Sequence, residues 1–284
     1  MNNVIADCEV LVTGSISREN LFVSYDSRAF GYSELEQENI TSLWSAALAK
    51  NSNKPETIFN GNLFSLHKWR HDNGKLYLEL ENTCYMNYLA TRNKVFRRDF
   101  PDAHLANPLA VCSVLLTRDS YIIVEKRSGG DVYSNAFHVI GGFMDRDMDI
   151  KSHTTPDPFF SIEREVMEEI FVDISKCNGV LTGLVYDKRT PHPELCFSYP
   201  IDFDLAEVLV RLRMASSKEV GEIIGLSNDE ESISKFLLDN LDSTSVTGLG
   251  CLLLHGLNAF GNAWYADICG KLQLRREVGS GVTI

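Results

Sequence analysis

The chain has 284 residues, 44% apolar and 23% charged, an ordinary composition for a globular protein with one large domain or one domain plus an extension. Asp and Glu outnumber Lys and Arg by 39 to 27, a formal net charge of −12, which argues against broad nucleic-acid binding through phosphate neutralisation. A small anionic substrate stays open, because a bound divalent cation can dominate the local field. No apolar run reaches the length of a membrane span. Met1-Asn2-Asn3-Val4 begins neither a basic region nor a long apolar stretch, so neither a membrane helix nor a secretory signal is expected.

The seven cysteines, Cys8, Cys84, Cys112, Cys177, Cys196, Cys251 and Cys269, are scattered and form no Cys-x-x-Cys pair. This pattern gives no support to a zinc ribbon and fits buried thiols in a reducing cytoplasm.

In chain order, Glu9–Thr13 and Leu21–Tyr25 read as short strands, and residues from Glu34 to Ala49 read as a helix. The alternating run Leu76-Tyr77-Leu78-Glu79-Leu80 reads as a strand bounded by Asn73-Gly74. Pro101, Asn107 and Pro108 mark a boundary. Beyond it, Val111–Leu116 and Tyr121–Glu125 suggest a hairpin, and Phe137–Ile140 is a short strand ending in Gly141-Gly142. Asp157 as cap and Pro158 at the first helical position start a helix expected to reach about Val172. Strands follow at Val180–Tyr186, Cys196–Ile201 and Glu222–Leu226. Helices are expected at Leu205–Met214, Glu230–Leu241 and Leu249–Ile268. Strands flanked by helices suggest a mixed sheet packed between helices.

The helix after Pro158 carries the chemistry. Phe159, Ile162, Val166 and Ile170 recur at spacings of three, four and four and make one apolar stripe. Glu165, Glu168 and Glu169 stand at i, i+3 and i+4 on a neighbouring stripe, with Glu169 near the edge of the buried face. Like charges so spaced repel, and more strongly where partly desolvated. Arg164 can brace Glu168, but one guanidinium does not balance three carboxylates. Oxygen ligands of this kind suit Mg2+ or Mn2+ bound together with substrate phosphates. The bland alternative is a solvated acidic face.

This segment resembles the signature of the Nudix hydrolases, Gly-x5-Glu-x7-Arg-Glu-U-x-Glu-Glu-x-Gly-U with U aliphatic. Arg164, Glu165, Val166, Glu168, Glu169 and Val172 match in register, and Gly141-Gly142 stand at the strand end. Three departures stand out. Gly142 to Arg164 is 164 − 142 = 22 positions where the signature has 14, an insertion of about eight. The first signature Glu has no counterpart in register, since Pro156 stands there, and Phe171 replaces the last glycine. The segments Ile40–Trp44, Cys84–Thr91, Asn107–Val111 and Val139–Gly142 are similar to the branch of the family that hydrolyses UDP-glucose and UDP-galactose.

The resemblance implies an α+β fold, a Nudix-type α/β/α sandwich with a mixed sheet. It carries an N-terminal α/β extension over residues 1–105, with the hydrolase domain over 106–284. It implies Mg2+-dependent cleavage of a nucleoside diphosphate linked to another moiety, with a UDP-sugar as leading substrate. ADP-ribose, NADH or coenzyme A are alternatives, as is an inactive nucleotide-binding module. Glu165, Glu168, Glu169 and the Gly142 carbonyl are the implied metal ligands, with Arg164 orienting a carboxylate. The water-activating base is either a helix glutamate or a loop one, here Glu219, with Glu222 as fallback. Arg127 is the implied phosphate contact, Lys188 and Arg189 are further ones, and Tyr85 and Tyr88 are candidates to stack on the base. His192, between Pro191 and Pro193, reads as a rigid loop residue. The sequence gives no oligomeric state.

Overall fold

Nine strands pair edge to edge into one mixed sheet, and helices cover its two sides. The computed structural model describes residues 4–5, 7–51, 58–128, 132–151, 155–215 and 220–279. In chain order the strands and helices are β1 (Val4–Ile5), β2 (Cys8–Ile16), β3 (Leu21–Ala29), α1 (Glu34–Lys50), β4 (Asn62–Asp72), β5 (Lys75–Cys84), α2 (Tyr85–Thr91) and α3 (Lys94–Asp99). They continue as β6 (Ala110–Leu116), β7 (Tyr121–Arg127), β8 (Phe137–His138), β9 (Ile140–Phe143), β10 (Ile150–Lys151), β11 (Thr155–Pro156) and α4 (Pro158–Ile170). The last are β12 (Val180–Asp187), β13 (His192–Pro200), α5 (Leu205–Leu212), β14 (Val220–Ser227), α6 (Glu230–Asp239), α7 (Val246–Phe260) and α8 (Asn262–Gly279).

The large sheet runs β1-β2-β12-β13-β6-β7-β14, with β8 on β7 and β9 on β6. Its one parallel pairing is β13 with β6, in which Cys196 faces Cys112. The expected hairpin of β6 and β7 is paired at Leu116 and Ile122; beyond that point β6 continues with β9 and β7 with β8. A second sheet, β3-β5-β4, joins a parallel to an antiparallel pairing.

The pleat divides the core in two. Val111, Leu115 and Ile123 point toward α4, whose Phe159, Ile162, Val166 and Ile170 complete one cluster. Cys112, Val114, Ile122 and Val124 point the other way, toward Val246, Leu249, Leu252 and Leu253 of α7. Most of β6 is buried, as a strand covered on both faces requires. In the second cluster Cys112 and Cys196 stand with sulfurs 3.9 Å apart, and Cys251 joins them.

The N-terminal elements tie in at two places. β1 and β2 extend the large sheet alongside β12, and Phe64, Leu66, Leu76, Leu78 and Leu80 of the small sheet enter the α4-side core. Phe64 N–H donates to the Met144 carbonyl at 3.3 Å and Leu109 N–H to the Phe64 carbonyl at 2.8 Å, so β4 lies against the strand end that carries Gly142. No described helix is long and apolar enough to cross a membrane.

Candidate functional site

Helix α4 begins as its sequence dictates. The Asp157 carboxylate accepts the Phe159 and Phe160 N–H groups at 3.0 and 3.3 Å, and Pro158 takes the position whose missing N–H costs nothing. The apolar stripe is buried, and with it Glu165 (9% exposed) and Glu169 (4%), while Glu168 stays half-exposed. The helix stops at Phe171, which has φ of 57°, the left-handed conformation that explains why the signature prefers glycine there.

Arg164 is the hub of the turn. Nε and Nη2 donate to the two oxygens of Asp149 at 2.8 and 2.9 Å, Nη1 donates to Glu168 at 3.0 Å, and Nη2 also reaches Glu165 at 2.8 Å. Asp149 has no exposed surface; it also accepts the Ser161 hydroxyl and the Asp145 N–H, each at 2.8 Å. Sequence counting found no carboxylate at the first signature Glu. The structure supplies one: Asp149 stands seven residues after Gly142, one later than the pattern asks, and the remaining inserted residues follow it. A scan allowing a one-residue shift and the shorter acid would have found it.

Burial pushes the Glu165 carboxyl up to about 7; Arg164 pulls it down, and Glu168 and Asp149 push it up again. Three carboxylates thus share one guanidinium in a low-dielectric corner. Gly142 lies against this corner: a Cβ there would sit 2.8 to 2.9 Å from the Glu165 carboxylate, so glycine is what permits the approach. Glu169 is drawn to the sheet, its Oε2 accepting Gly141 N–H at 3.3 Å. The oxygens of Glu165, Glu168 and Glu169 do not all come within 4.8 Å of one another, since Arg164 and Gly141 each hold part of the set. An all-oxygen donor set, an excess of negative charge and a side-chain-free strand beside it fit a hard divalent cation.

Arg164, Glu165, Glu168, Gly141 and Gly142 border a cavity of about 340 Å³, while Glu169 and Asp149 stand behind its lining. The same cavity is lined by a group that sequence reading missed: His138, Glu194 and His192. His192 opens β13 and is buried rather than a loop residue. Its Nδ1 is 2.5 Å from the Thr190 carbonyl, to which it must donate, and its Nε2 faces Glu194 at 3.5 Å. His138 Nε2 faces the other Glu194 oxygen at 3.6 Å, and its Nδ1 meets the Ser245 hydroxyl at 2.6 Å. Burial alone would lower His192 and raise Glu194; Glu194 reverses the first, and His138 together with His192 reverses the second, so His192 lies above the usual imidazole value and Glu194 well below the usual carboxylate one. Alternation along β13 put His192 and Glu194 on one face and could have suggested the pair.

Of the other predicted residues, Arg127 at the end of β7 and Tyr85 at the start of α2 line the cavity. Tyr88 does not: it is fully buried, with its ring 5.2 Å from that of Phe143, because α2 turns it into the core. Lys188 and Arg189 are also kept away, paired with Glu9 at 3.1 Å and Asp7 at 3.4 Å across the β2 edge. Glu222 is an exposed residue of β14 and does not line the cavity. Glu219 lies outside the described residues.

A mixed sheet between helices, with a carboxylate-bearing helix at the mouth of a cavity, is the class of molecule that fold and site define. No protein-family model matches the chain, and no curated protein matches it. Among solved structures it is similar to the Nudix domain of NrtR from Shewanella oneidensis bound to ADP-ribose, at 16% identity over 59% of this chain and 99% of that one, TM-score 0.39. It is similar to DR0079 from Deinococcus radiodurans at 15% identity over 52% and 81%, TM-score 0.36. A third is the bifunctional NMN adenylyltransferase/ADP ribose pyrophosphatase of Francisella tularensis, at 13% identity over 61% and 48%, TM-score 0.37.

Proposed function

We propose that the chain is a Nudix-type hydrolase that cleaves the diphosphate bond of a nucleoside diphosphate linked to a second moiety, with a divalent metal ion. The observation that carries this reading is one turn of α4, in which Glu165 and Glu168 meet Arg164, Asp149 and Gly142 beside a cavity. A merely solvated acidic face would not bury Glu165 and Glu169. Glu165, Glu168 and Glu169, with the Gly142 carbonyl, would hold Mg2+ or Mn2+. The ion supplies charge neutralisation at the phosphate oxygens and lowers the pKa of a bound water.

The chain's own residues do the rest. Arg164, fixed at both oxygens of Asp149, keeps the carboxylates in one cluster and stops the helix turn from splaying under its own repulsion. Arg127 reaches the cavity from β7 as the phosphate contact, and Tyr85 offers an aromatic face from the N-terminal extension, residues 1–105. Glu219 remains the proposed loop base. Lys188, Arg189 and Tyr88 have no part in this reading.

A UDP-sugar is the substrate favoured by the resemblance of Cys84–Thr91 and Asn107–Val111. The test is a panel of UDP-glucose, UDP-galactose, ADP-ribose, NADH and coenzyme A, each with Mg2+ and with chelator. The expected result is Mg2+-dependent conversion of UDP-glucose to UMP and glucose 1-phosphate. Turnover of another member alone would move the substrate assignment, and turnover of none would favour a nucleotide-binding module.

A further inference from the structure

The cavity lining brings together two chemically opposite groups. From α4 come carboxylates that ask for a cation, and from the N-terminus of α7, a helix of 15 residues capped by Ser245, come Ser245 and Thr247. Ser245 N–H donates to the Phe137 carbonyl at 2.9 Å, which fixes the cap against β8, and its hydroxyl accepts Gly248 N–H at 3.1 Å. Helix geometry leaves the N–H groups of Val246 and Thr247 without an intrahelical acceptor, with the positive end of the helix dipole behind them.

A second observation points to a ligand. Thr247 is only 2% exposed, yet it lines the cavity, and its hydroxyl has no hydrogen-bond partner among the described residues. The little surface Thr247 keeps belongs to the cavity lining, so its hydroxyl is available to a polar group that enters there. His138 lies against the same turn because Gly248 has no side chain: a Cβ there would come within 2.7 Å of Nδ1. Glu194, which also lines the cavity, is flanked by His138 and His192 and so does not act as an uncompensated negative charge toward an anion.

We propose that the first turn of α7, through Ser245, Val246 and Thr247, is a phosphate-binding subsite that works without a metal ion. A diphosphate spanning the cavity would then meet α4 through a cation with one phosphoryl group and α7 directly with the other. That spanning arrangement rests on the hydrolase reading; the binding of phosphate to α7 does not.

Orthophosphate titrated into the full chain in excess EDTA, followed by calorimetry, tests it. Wild type and Glu165→Gln are expected to bind phosphate saturably. Thr247→Val, which keeps the shape of the buried side chain, is expected to weaken binding by about tenfold, and Thr247→Ser to restore it. Circular dichroism of each variant checks the fold. No metal-free binding by wild type, or equal binding by the folded Thr247→Val variant, overturns the proposal. So does binding that needs Mg2+ and disappears in Glu165→Gln, since all phosphate affinity would then belong to α4. Phosphate binding without any diphosphate hydrolysis would keep the subsite and refute the hydrolase reading; hydrolysis without metal-free phosphate binding would do the reverse.

Discussion

Asp149 meets Arg164 through both of its oxygens and has no exposed surface, whereas Glu168 meets the same guanidinium with its side chain 45% exposed. Removing one member of a buried pair leaves the other uncompensated, so Asp149→Asn is expected to cost about 3 to 5 kcal/mol in urea unfolding. Glu168→Gln is expected to cost less than about 1 kcal/mol. Equal losses would mean that burial does not set the strength of these contacts. His192 and Glu194 make a pH-dependent contribution whose sign follows from their shifts. His192 is raised, so its part is full below the ordinary imidazole value and fades as pH rises through the folded one. Glu194 is lowered, so its part is full above the ordinary carboxylate value and fades as pH falls through the folded one. The stability difference between wild type and Glu194→Gln should therefore be greatest between about pH 4.5 and 6.5 and shrink on either side. A difference that grows steadily above that interval would contradict the pairing.

At the scale of elements, α4 was legible because three independent signals agreed: the Asp157-Pro158 start, the apolar stripe, and the acidic residues beside it. Its end was set by Phe171 in the left-handed conformation, where a side chain costs about 1 kcal/mol or more. Phe171→Gly should raise stability by about that amount, since the exposed ring is little needed for packing. The run read as one helix over Leu249–Ile268 is two, α7 and α8, because Gly261 takes φ of 86° between them; apolar periodicity continues across such a break and cannot reveal it. Gly261→Ala is expected to cost about 1 kcal/mol. Strand β4 escaped notice because Lys68, Arg70 and Asp72 crowd its exposed half, and α2 because seven residues give too short a period to recognise. The exact signature spacing passes over Asp149, which stands one residue late, and the placing of His138 beside the His192–Glu194 pair spans more than fifty residues, a contact of which chain spacing carries no record.

Across the whole molecule, residues 1–105 and residues 106–284 share one core. Val12, Ile16, Phe64, Leu66 and Leu78 pack in the same cluster as Ile162 and Val166, and β2 covers the edge of β12. A fragment beginning at residue 106 would expose both that edge and the apolar surface beneath β4. It is expected to lack a cooperative unfolding transition by calorimetry. A sharp transition near that of the full chain would show that residues 106–284 stand alone. The same packing brings Gly61, Leu63 and Tyr85 to the cavity, so the first hundred residues help to shape the site. The central claim is that one turn of α4 gathers carboxylates to hold a divalent cation for diphosphate cleavage. The most direct measurement is the Mg2+-dependent rate of UDP-glucose hydrolysis by Glu169→Gln, with unfolding followed in parallel. The account predicts a fall of about a hundredfold or more with the fold retained; a rate equal to that of wild type would contradict it.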